Sequence, residues 1–511
     1  MSATDVQDIA DAIAAHFALI TTLEPTGIAV RFQGRSYSWA VLGEIADGVV
    51  AALKAAGVPD HASIGWIARN DPVLIGAAIG IIKGGFTVSP VNPHQPVAKM
   101  AEQIKALNMA AIVGVEEDFH AEVRAVLADA GAIGLVLDID ADTKVRLLDP
   151  AAKLGTGPYR NIGDDVIIER LTSGTTGEPK RIPVPAATFR KAMELGARSE
   201  TDKADEPLKV KRSPSILLTT FSHSGGLWGA LLAMYHARPV ELFEKFDVHA
   251  WGDAVERGQT KAANLVPSMI TMVLESDLAP EKLKSLLVIR SGTAPLDPET
   301  QRLFEEKFGV PVLTEYSASE FMGGIAGWSL ADHREFGVTK RGAAGRLRPD
   351  MEAKITDVET GEEVARGQVG VLNLKSPRIG PDWIKTTDLA SYDTDDFLWI
   401  HGRADEAINR GGFKILPEKV AEVLRLHPAV REACVIAAKD KRLGQVPVGF
   451  VERIEDEPMP TEQELKDFVR THLTAYMVPV AVEIVDALPR TLSMKVDRPA
   501  VRAMFKDKYE F

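Results

Sequence analysis

A glycine- and hydroxyl-rich segment in the first half of the chain has the residue types needed to bind a polyphosphate. From Thr172 to Lys180 it reads Thr-Ser-Gly-Thr-Thr-Gly-Glu-Pro-Lys. Glycines let backbone N–H groups approach an anion closely, hydroxyl residues add donors, and the final lysine neutralises charge. The segment differs from the common P-loop, Gly-x-x-x-x-Gly-Lys-Ser/Thr, and therefore predicts a phosphate loop of another fold.

Apolar runs alternate with helix-length segments from about residue 30 to residue 320. Such alternation predicts βα units and mainly parallel sheets sandwiched by helices. Small, polar or glycine residues follow four of these runs at once, at 166–168, 216–218, 286–289 and 312–313. Because ligands of open α/β sheets bind beyond the carboxyl ends of the strands, these loops predict one shared ligand site.

The character of the sequence changes at about 403–406, where a short polar stretch leads into a glycine loop. A small α+β unit is expected after it, and Thr461 with Glu464 forms a capping-box pattern there. Its helices are predicted near 417–426 and 461–473, and its strands near 433–438, 446–451 and 482–485. We therefore predict an α/β N-terminal domain at 1–403 and a C-terminal domain at 404–511.

Bulk composition narrows the class of protein further. Apolar residues make up 45% and charged residues 26% of the 511, as in a soluble globular protein of more than one domain. The net charge of −13 argues against a nucleic-acid surface. The single cysteine, Cys434, lies in an apolar run and is predicted to be buried. With no disulfide framework, with aspartates where a secretory signal would be positive, and with no apolar run of membrane-spanning length, we expect a cytoplasmic protein.

The segment from Thr172 to Lys180 resembles the phosphate loop of the adenylate-forming superfamily. This superfamily includes acyl- and aryl-CoA ligases, nonribosomal peptide adenylation domains and firefly luciferase. The resemblance covers nearly the whole chain, with its motifs in the expected order. It implies an enzyme that uses ATP and Mg²⁺ to activate a small carboxylic acid as acyl-AMP, with coenzyme A as acceptor of the acyl group.

Residues 316–320, Tyr-Ser-Ala-Ser-Glu, resemble the superfamily element Tyr-Gly-x-Thr-Glu. The resemblance implies that the Tyr316 ring stacks on adenine, that the Ser319 hydroxyl contacts the α-phosphate and that Glu320 holds magnesium. A carboxylate beside phosphate oxygens is a suitable Mg²⁺ ligand. Asp388, at the end of Lys-Thr-Thr-Asp, resembles the aspartate that binds the ribose hydroxyls. All the residues expected to contact ATP are Thr172, Ser173, Gly174, Thr175, Thr176, Gly177, Lys180, Gly292, Thr293, Ala294, Glu315, Tyr316, Ser319, Asp388 and Arg403.

Three motifs near the predicted boundary and the C-terminus resemble the parts that change place between two half-reactions. Arg403 resembles the ribose-binding arginine, and Asp405 the hinge on which a mobile C-terminal domain turns. Arg410, Gly411 and Gly412 resemble the loop that admits the pantetheine arm of coenzyme A. Lys495, which ends Leu-Pro-Arg-Thr-Leu-Ser-Met-Lys, resembles the catalytic lysine of adenylation; a lysine suits this role because its charge reaches both carboxylate and phosphate. Met494 stands where the superfamily motif has glycine.

The acyl pocket is expected around 221–229, 264–268, 291–296 and 316–324. His223 is assigned to the substrate carboxylate and the pocket entrance, although a histidine after a strand is commonly structural. Apart from His223 these stretches contain no basic residue, which favours an uncharged aryl or aliphatic tail. Amino-acid-activating relatives carry Phe-Asp where this chain has Phe221 and Ser222. The other side chains expected to line the pocket are Trp228, Val266 and Met322.

The sequence leaves several alternatives open. The acceptor could be an amine or a carrier-protein thiol instead of coenzyme A, as in an amide synthetase or a stand-alone adenylation domain. A third interpretation is a non-catalytic module that binds nucleotide or acyl ligands. The identity of the acid, the pathway and the oligomeric state, including a homodimer, are also left open.

Overall fold

The computed structural model describes residues 3–172, 180–198, 208–318, 321, 323–377, 379–455, 457–491 and 494–511. By its internal contacts the chain divides into two compact units. The first unit comprises Met1–Asn264 and Asp277–Leu287, and the second comprises Leu265–Ser276 and Val288–Phe511. In the part of the chain that is described, no helix has both the length and the apolar character needed to cross a membrane.

The first unit alternates strands with helices over most of its length. Its helices are α1 (Ala3–Leu23), α2 (Trp39–Ala55), α3 (Pro72–Lys83), α4 (Val97–Leu107), α5 (Ala121–Ala130), α6 (Ala186–Arg198), α7 (Ser224–Tyr235) and α8 (Val248–Gly258). Its strands are β1 (Ile28–Phe32), β2 (Arg35–Ser38), β3 (Ser63–Ile67), β4 (Thr87–Val91), β5 (Ala111–Val115), β6 (Ile133–Leu137), β7 (Val145–Leu147), β8 (Val166–Thr172), β9 (Lys180–Pro185), β10 (Ser215–Leu217), β11 (Val240–Leu242) and β12 (Ala262–Asn264).

A seven-stranded sheet in the order β7-β6-β5-β3-β4-β8-β9 is the main frame of this unit. Strands β6, β5, β3, β4 and β8 run parallel, and the edge strands β7 and β9 are antiparallel to their neighbours. Every residue of β3, β4 and β6 is buried, as expected for parallel strands covered on both faces. A second sheet, β10-β11-β1-β2, is also parallel apart from β2. The predicted α/β class with mainly parallel sheets is confirmed.

Local sequence explains why α3 begins where it does and how closely it packs. The Asp71 side chain caps the helix by accepting from the N–H of Val73, and Pro72 occupies the first turn, where its missing N–H costs nothing. A Cβ on Gly80 would lie 2.6 Å from the carbonyl oxygen of Ala46 on α2. Glycine at this position therefore lets the two helices approach backbone to backbone.

The second unit contains the remaining helices and strands. Its helices are α9 (Pro267–Glu275), α10 (Pro298–Phe308), α11 (Leu330–Phe336), α12 (Pro417–Arg425), α13 (Glu462–His472) and α14 (Arg498–Met504). Its strands are β13 (Val288–Ser291), β14 (Val312–Ala318), β15 (Gly323–Gly327), β16 (Arg346–Leu347), β17 (Glu352–Thr356), β18 (Gly370–Lys375), β19 (Ile384–Tyr392), β20 (Leu398–Arg403), β21 (Ile408–Arg410), β22 (Phe413–Ile415), β23 (Val430–Asp440), β24 (Gly444–Arg453) and β25 (Ala481–Val485).

Three sheets organise this unit. Strands β13 and β14 are parallel, and β15 and β16 extend that sheet in antiparallel order. Strands β17 to β20 form an antiparallel meander. The last sheet has the order β22-β21-β24-β23, with β25 parallel to β24.

The predicted C-terminal elements are present at nearly the predicted positions. The capping box between Thr461 and Glu464 forms as predicted, with the Thr461 side chain accepting from the Glu464 N–H. Strand β20 ends at Arg403, but independent movement of the chain from residue 404 onward stays a prediction. Cys434 is buried as predicted, at 3% exposure, and burial raises its pKa to about 11.

Two predicted strand boundaries are wrong, the end of one strand and the start of another. Strand β14 continues through Tyr316 to Ala318 instead of ending before them, because β15 pairs with it. The run predicted at 286–289 enters a strand only at Val288, and Leu287 before it is 59% exposed.

Candidate active site

The predicted adenine and ribose residues lie next to one another in the second unit. Tyr316 on β14 donates a hydrogen bond from its hydroxyl to Asp388 Oδ2 on β19. The N–H of Asp388 donates to Thr386 Oγ1 over 3.1 Å, and Asp388 is the register partner of Arg403 on β20. Two different sheets therefore bring these three predicted nucleotide residues together.

Arg403 is also joined to the predicted hinge residue. Its Nε and Nη2 donate to the two carboxylate oxygens of Asp405 over 2.9 and 2.8 Å, a bidentate pair. This hydrogen bonding raises the pKa of Arg403 and lowers the pKa of Asp405. Asp405 lies in a 3₁₀ turn, Ala404–Glu406, directly after β20. The arginine predicted for the ribose and the aspartate predicted for the hinge thus form one unit.

The predicted catalytic lysine lies close enough to Arg403 to sense its charge. Burial, and then the positive charge of Arg403, lower the pKa of Lys495. Lys495 therefore lies within electrostatic range of Arg403, the register partner of Asp388. Its catalytic role stays a prediction.

The turn before Lys495 has an unusual backbone. Met494 has φ 62°, in the left-handed region, at the position where the superfamily motif has glycine. The Thr491 N–H donates to the Lys495 carbonyl over 2.8 Å, and the Lys495 N–H donates to Thr491 Oγ1 over 3.3 Å. The methionine adopts a glycine-like conformation at a cost of about 1 kcal/mol.

The loop after β13 contains three of the predicted nucleotide residues. Thr293 has φ 72°, and a Cβ on Gly292 would lie 3.3 Å from the Glu315 carbonyl oxygen, so the loop packs tightly on β14. Ala294 follows directly in the same loop. The Glu315 carboxylate forms ion pairs with Arg290 at 3.3 Å and Arg348 at 2.5 Å. It connects neighbouring segments of the fold, while its contact with ATP stays a prediction.

The predicted coenzyme A loop is a hairpin. Gly411 and Gly412 join β21 to β22 with φ 58° and 92°, which a two-residue turn of this kind requires and which glycine adopts without strain. Arg410 Nη1 donates to the carbonyls of Tyr476 and Val478 over 2.7 and 2.9 Å. The structure therefore shows Arg410 holding the hairpin in place, and its contact with coenzyme A stays a prediction.

In the first unit, three residues predicted near the acyl group, Phe221, His223 and Trp228, lie around the start of α7. Phe221 is 1% exposed, stacks on Trp66 with ring centres 5.7 Å apart, and donates its N–H to Asn70 Oδ1 over 2.8 Å. His223 is the N-cap of α7, and its Nδ1 accepts from the Gly225 N–H over 3.1 Å. A neutral His223 ring therefore carries its proton on Nε2. Capping explains a histidine here, and its contact with substrate stays a prediction.

One residue of this region was missed by the sequence analysis. Arg170 on β8 lines a small cavity with Phe221 and Trp228, and its guanidinium carbon lies 5.3 Å from the centre of the Trp228 indole. The available signal was two adjacent charged residues, Glu169 and Arg170, inside an apolar strand that leads into the phosphate loop. A charged residue in a buried strand has a specific partner or a specific task.

The phosphate loop itself is described only at its two ends. Thr172 and Lys180 are register partners in the antiparallel pair β8–β9. Behind them Glu169, 1% exposed, pairs with Arg160 at 2.6 Å and Arg181 at 3.2 Å, which ties β8 to β9. The predicted residues that lie outside the described part are Ser173, Gly174, Thr175, Thr176, Gly177, Ser319, Glu320 and Met322.

Two further predictions concern a metal ion and the acyl pocket. Among the described residues, no group of three or more His, Cys, Asp or Glu is arranged to hold a metal ion. The predicted magnesium ligand, Glu320, is not among them. Val266 is half-buried at the N-terminus of α9, and its place in the acyl pocket stays a prediction.

Comparison with known proteins identifies the class. Residues 21–381 match the family of AMP-binding enzymes, and residues 419–495 match the AMP-binding enzyme C-terminal domain. The chain belongs to the AMP-binding enzyme family. The prediction of an adenylate-forming enzyme of the acyl- or aryl-CoA ligase type is confirmed.

Individual relatives agree with this assignment. The chain is 27% identical over 490 residues to 4-coumarate–CoA ligase 3 of Oryza sativa subsp. japonica, which covers 92% of this chain and 87% of that protein. It is 27% identical over 512 residues to indoleacetate–CoA ligase of Aromatoleum aromaticum, and the alignment covers 95% of this chain and 96% of that protein. The crystal structure of ATP-bound MatB from Rhodopseudomonas palustris, 22% identical, superposes with a TM-score of 0.80 over 97% of this chain and 100% of that chain. The last comparison shows a common fold.

Proposed function

We propose that the protein is an AMP-forming carboxylic acid:CoA ligase that acts on an aryl or aliphatic acid. The observation that carries the proposal is that buried Lys495 lies within electrostatic range of Arg403. Arg403 pairs with Asp388 across neighbouring strands, and Tyr316 donates a hydrogen bond to Asp388. A cation beside the residues that hold a nucleotide is the arrangement needed to stabilise charge at its α-phosphate. The names of the two relatives support a thiol acceptor.

In the first half-reaction, a carboxylate oxygen of the acid bonds to the α-phosphorus of ATP and pyrophosphate leaves. Tyr316, Asp388 and Arg403 hold the adenosine, and the loop from Thr172 to Lys180 holds the β- and γ-phosphates. Lys495 stabilises the negative charge that moves from the carboxylate towards the pyrophosphate. These residues act by positioning and by electrostatic stabilisation. Magnesium, which we assign to Glu320, neutralises phosphate charge when it is bound.

In the second half-reaction, the thiol sulfur of coenzyme A bonds to the acyl carbon. The bond from that carbon to the phosphate oxygen breaks, AMP leaves and the thiol proton passes to water. The Arg403–Asp405 pair lies where a rotation of residues 404–511 would need to begin, since a hinge must change its backbone angles at the end of an element. Rotation would exchange Lys495 for the Gly411–Gly412 turn, whose lack of side chains leaves room for the thiol arm.

A panel of acids and acceptors tests the proposal. Aryl, medium-chain and long-chain acids are incubated with Mg-ATP, and pyrophosphate and AMP are measured with coenzyme A, with an amine or with a carrier-protein thiol. We expect acid-dependent pyrophosphate release and an acyl-CoA product. Lys495→Ala should abolish pyrophosphate release, whereas the exposed Lys506→Ala should not. Product with the amine or carrier alone would overturn the choice of acceptor, and no pyrophosphate with any acid would overturn the proposal.

A further inference from the structure

We propose that Arg498 is a positioning residue for the first half-reaction, because it fastens the turn that carries Lys495 to the hinge turn Ala404–Glu406. The inference rests on the proposed function, since it concerns how Lys495 is presented to the nucleotide. Arg498 lies three positions after Lys495 and is the first residue of α14. It acts on the reaction through Lys495 and not by contact with a substrate.

Arg498 is a half-buried arginine with a carboxylate beside each of its terminal nitrogens. Its Nη1 donates to Glu406 Oε2, and its Nη2 lies 3.6 Å from Glu418 Oε2 at the start of α12. The side chain of Arg498 is 26% exposed, and those of Glu406 and Glu418 are 31% and 24% exposed. Because water reaches these groups only in part, their attraction is screened less than that of a surface ion pair.

Glu406 belongs to the hinge turn and has charged partners on both sides of Asp405. Its Oε1 lies 4.0 Å from Arg403 Nε, and its Oε2 accepts from Arg498. The carboxylate therefore stands between a residue before the predicted hinge and a residue after Lys495. In a rotation that begins at Asp405, Glu406 stays with Arg498 and parts from Arg403. The bond to Arg498 thus confines the rotation to Asp405.

The Lys495 turn is also fastened at its other end. Arg490 and Val496 form an antiparallel bridge that closes the turn. Arg490 Nη2 lies 3.3 Å from Glu452 Oε2 on β24. Arg490 therefore attaches the turn to the last sheet, and Arg498 attaches it to the hinge.

This attachment matters for rate more than for binding. The side chain of Lys495 is a flexible point charge, so its place depends on the backbone that carries it. A displacement of about 1 Å at a catalytic group can cost about 100-fold in rate. Tyr316, Asp388 and Arg403, the residues assigned to the adenosine, all precede the hinge. Loss of Arg498 should therefore lower kcat for acyl-AMP formation and leave the KM for ATP nearly unchanged.

Variants on both sides of the ion pair test the inference. They are Arg498→Met, which removes the charge, Arg498→Lys, which keeps it, Glu406→Gln, and the double variant Glu406→Gln/Arg498→Met. Arg502→Met, an exposed charge loss on the same helix, is the control. The first half-reaction is measured by acid-dependent exchange of labelled pyrophosphate into ATP. The second is measured by acyl-CoA formation from chemically prepared acyl-AMP, and thermal unfolding is measured for each variant.

We expect Arg498→Met to lower kcat for exchange by at least about tenfold, with little change in the KM for ATP or for the acid. Acyl-CoA formation from supplied acyl-AMP should stay near the wild-type rate. Arg498→Lys should recover part of the lost kcat, because lysine keeps the charge but lacks the planar fork. Arg502→Met should match the wild type in both reactions.

The double variant tests whether Glu406 and Arg498 act as one unit. Glu406→Gln should lower the same kcat, and the double variant should be no slower than Arg498→Met, because both substitutions remove one interaction. Losses that multiply in the double variant would overturn the inference. If Arg498→Met does not fold, as thermal unfolding would show, Glu406→Gln provides the same comparison of the two half-reactions.

Two other outcomes would overturn the inference. One is a folded Arg498→Met variant whose kcat for exchange equals that of the wild type. The other is an equal loss in both half-reactions, which would show that Arg498 serves only the stability of the chain. A wild type without exchange with any acid would instead contradict the proposed function. Wild-type exchange without acyl-CoA formation would contradict only the proposed acceptor, and the comparison of kcat for exchange would still decide the role of Arg498.

Discussion

The hydroxyl of Tyr316 donates a hydrogen bond to the carboxylate of Asp388 and so joins β14 to β19. If Asp388 binds the ribose, this bond sets the direction of its carboxylate. We expect Tyr316→Phe to raise the KM for ATP about tenfold, with a smaller effect on kcat, because a hydrogen bond to a charged group is lost. Pyrophosphate exchange at varied ATP concentration measures both parameters.

Tyr392→Phe is the matched control for that substitution. Tyr392 lies at the end of the same strand as Asp388, and among the described residues its hydroxyl has no hydrogen-bond partner. We expect its KM for ATP to equal that of the wild type. An equal rise in both variants would show that the effect comes from general weakening of β19.

The pH dependence of exchange tests the charge of Lys495. Burial and the nearby Arg403 lower the pKa of Lys495. An ordinary lysine has a pKa of about 10.4, so Lys495 loses its proton at a lower pH than that. Exchange should therefore fall on the alkaline side, below that pH. Lys495→Arg should be slower but should keep its rate at alkaline pH, because arginine stays protonated. An unchanged alkaline fall in Lys495→Arg would assign the titration to another group.

The substitution Asp405→Pro should leave the first half-reaction intact and block the second. Proline fixes φ near −65°, which the 3₁₀ turn Ala404–Glu406 tolerates but a turning hinge does not. We expect Asp405→Pro to retain pyrophosphate exchange and to lose acyl-CoA formation by more than about tenfold. Asp405→Asn also weakens the ion pair with Arg403 but leaves φ free, and should form acyl-CoA. Equal loss in both variants would mean that the ion pair matters and the hinge does not.

Stability measurements test the strain at Met494. The φ of 62° at Met494 favours glycine, so Met494→Gly should relieve about 1 kcal/mol of backbone strain. Part of this gain is offset because glycine has a higher conformational entropy in the unfolded state. Met504→Gly at the end of α14 is the control and should destabilise the chain, because glycine is unfavourable in a helix. The thermal unfolding temperatures of the two variants should move in opposite directions. A decrease for Met494→Gly would show that its side-chain contacts outweigh the strain.

Local patterns in the sequence were sufficient for much of the C-terminal part of the fold. The capping box at Thr461, the proline that opens α12 at Pro417 and the apolar runs of β23 and β24 are each decided by neighbouring residues. Strand β14 was placed too short for the opposite reason. Its partner, β15, reads Gly-Gly-Ile-Ala-Gly and has almost no strand propensity, so only the pairing itself reveals it.

The site was predicted as a set of residues but not as an arrangement. Motif positions were enough to name Tyr316, Asp388, Arg403 and Lys495. The bond between Tyr316 and Asp388 and the pair between Arg403 and Asp405 depend on how separate strands meet. The contact between Arg170 and Trp228 was missed because the two residues lie 58 positions apart in the chain and meet only through the packing of α7 on β8.

The most direct test of the account is a single-turnover experiment with an acid that supports exchange. Enzyme in excess is mixed with Mg-ATP and the acid, and products are identified by mass spectrometry before and after coenzyme A is added. We predict enzyme-bound acyl-AMP before the addition, and acyl-CoA with an equal amount of AMP after it. Acyl-AMP that persists when coenzyme A is present, or ATP cleaved to ADP, would contradict the assignment as an AMP-forming acid:CoA ligase.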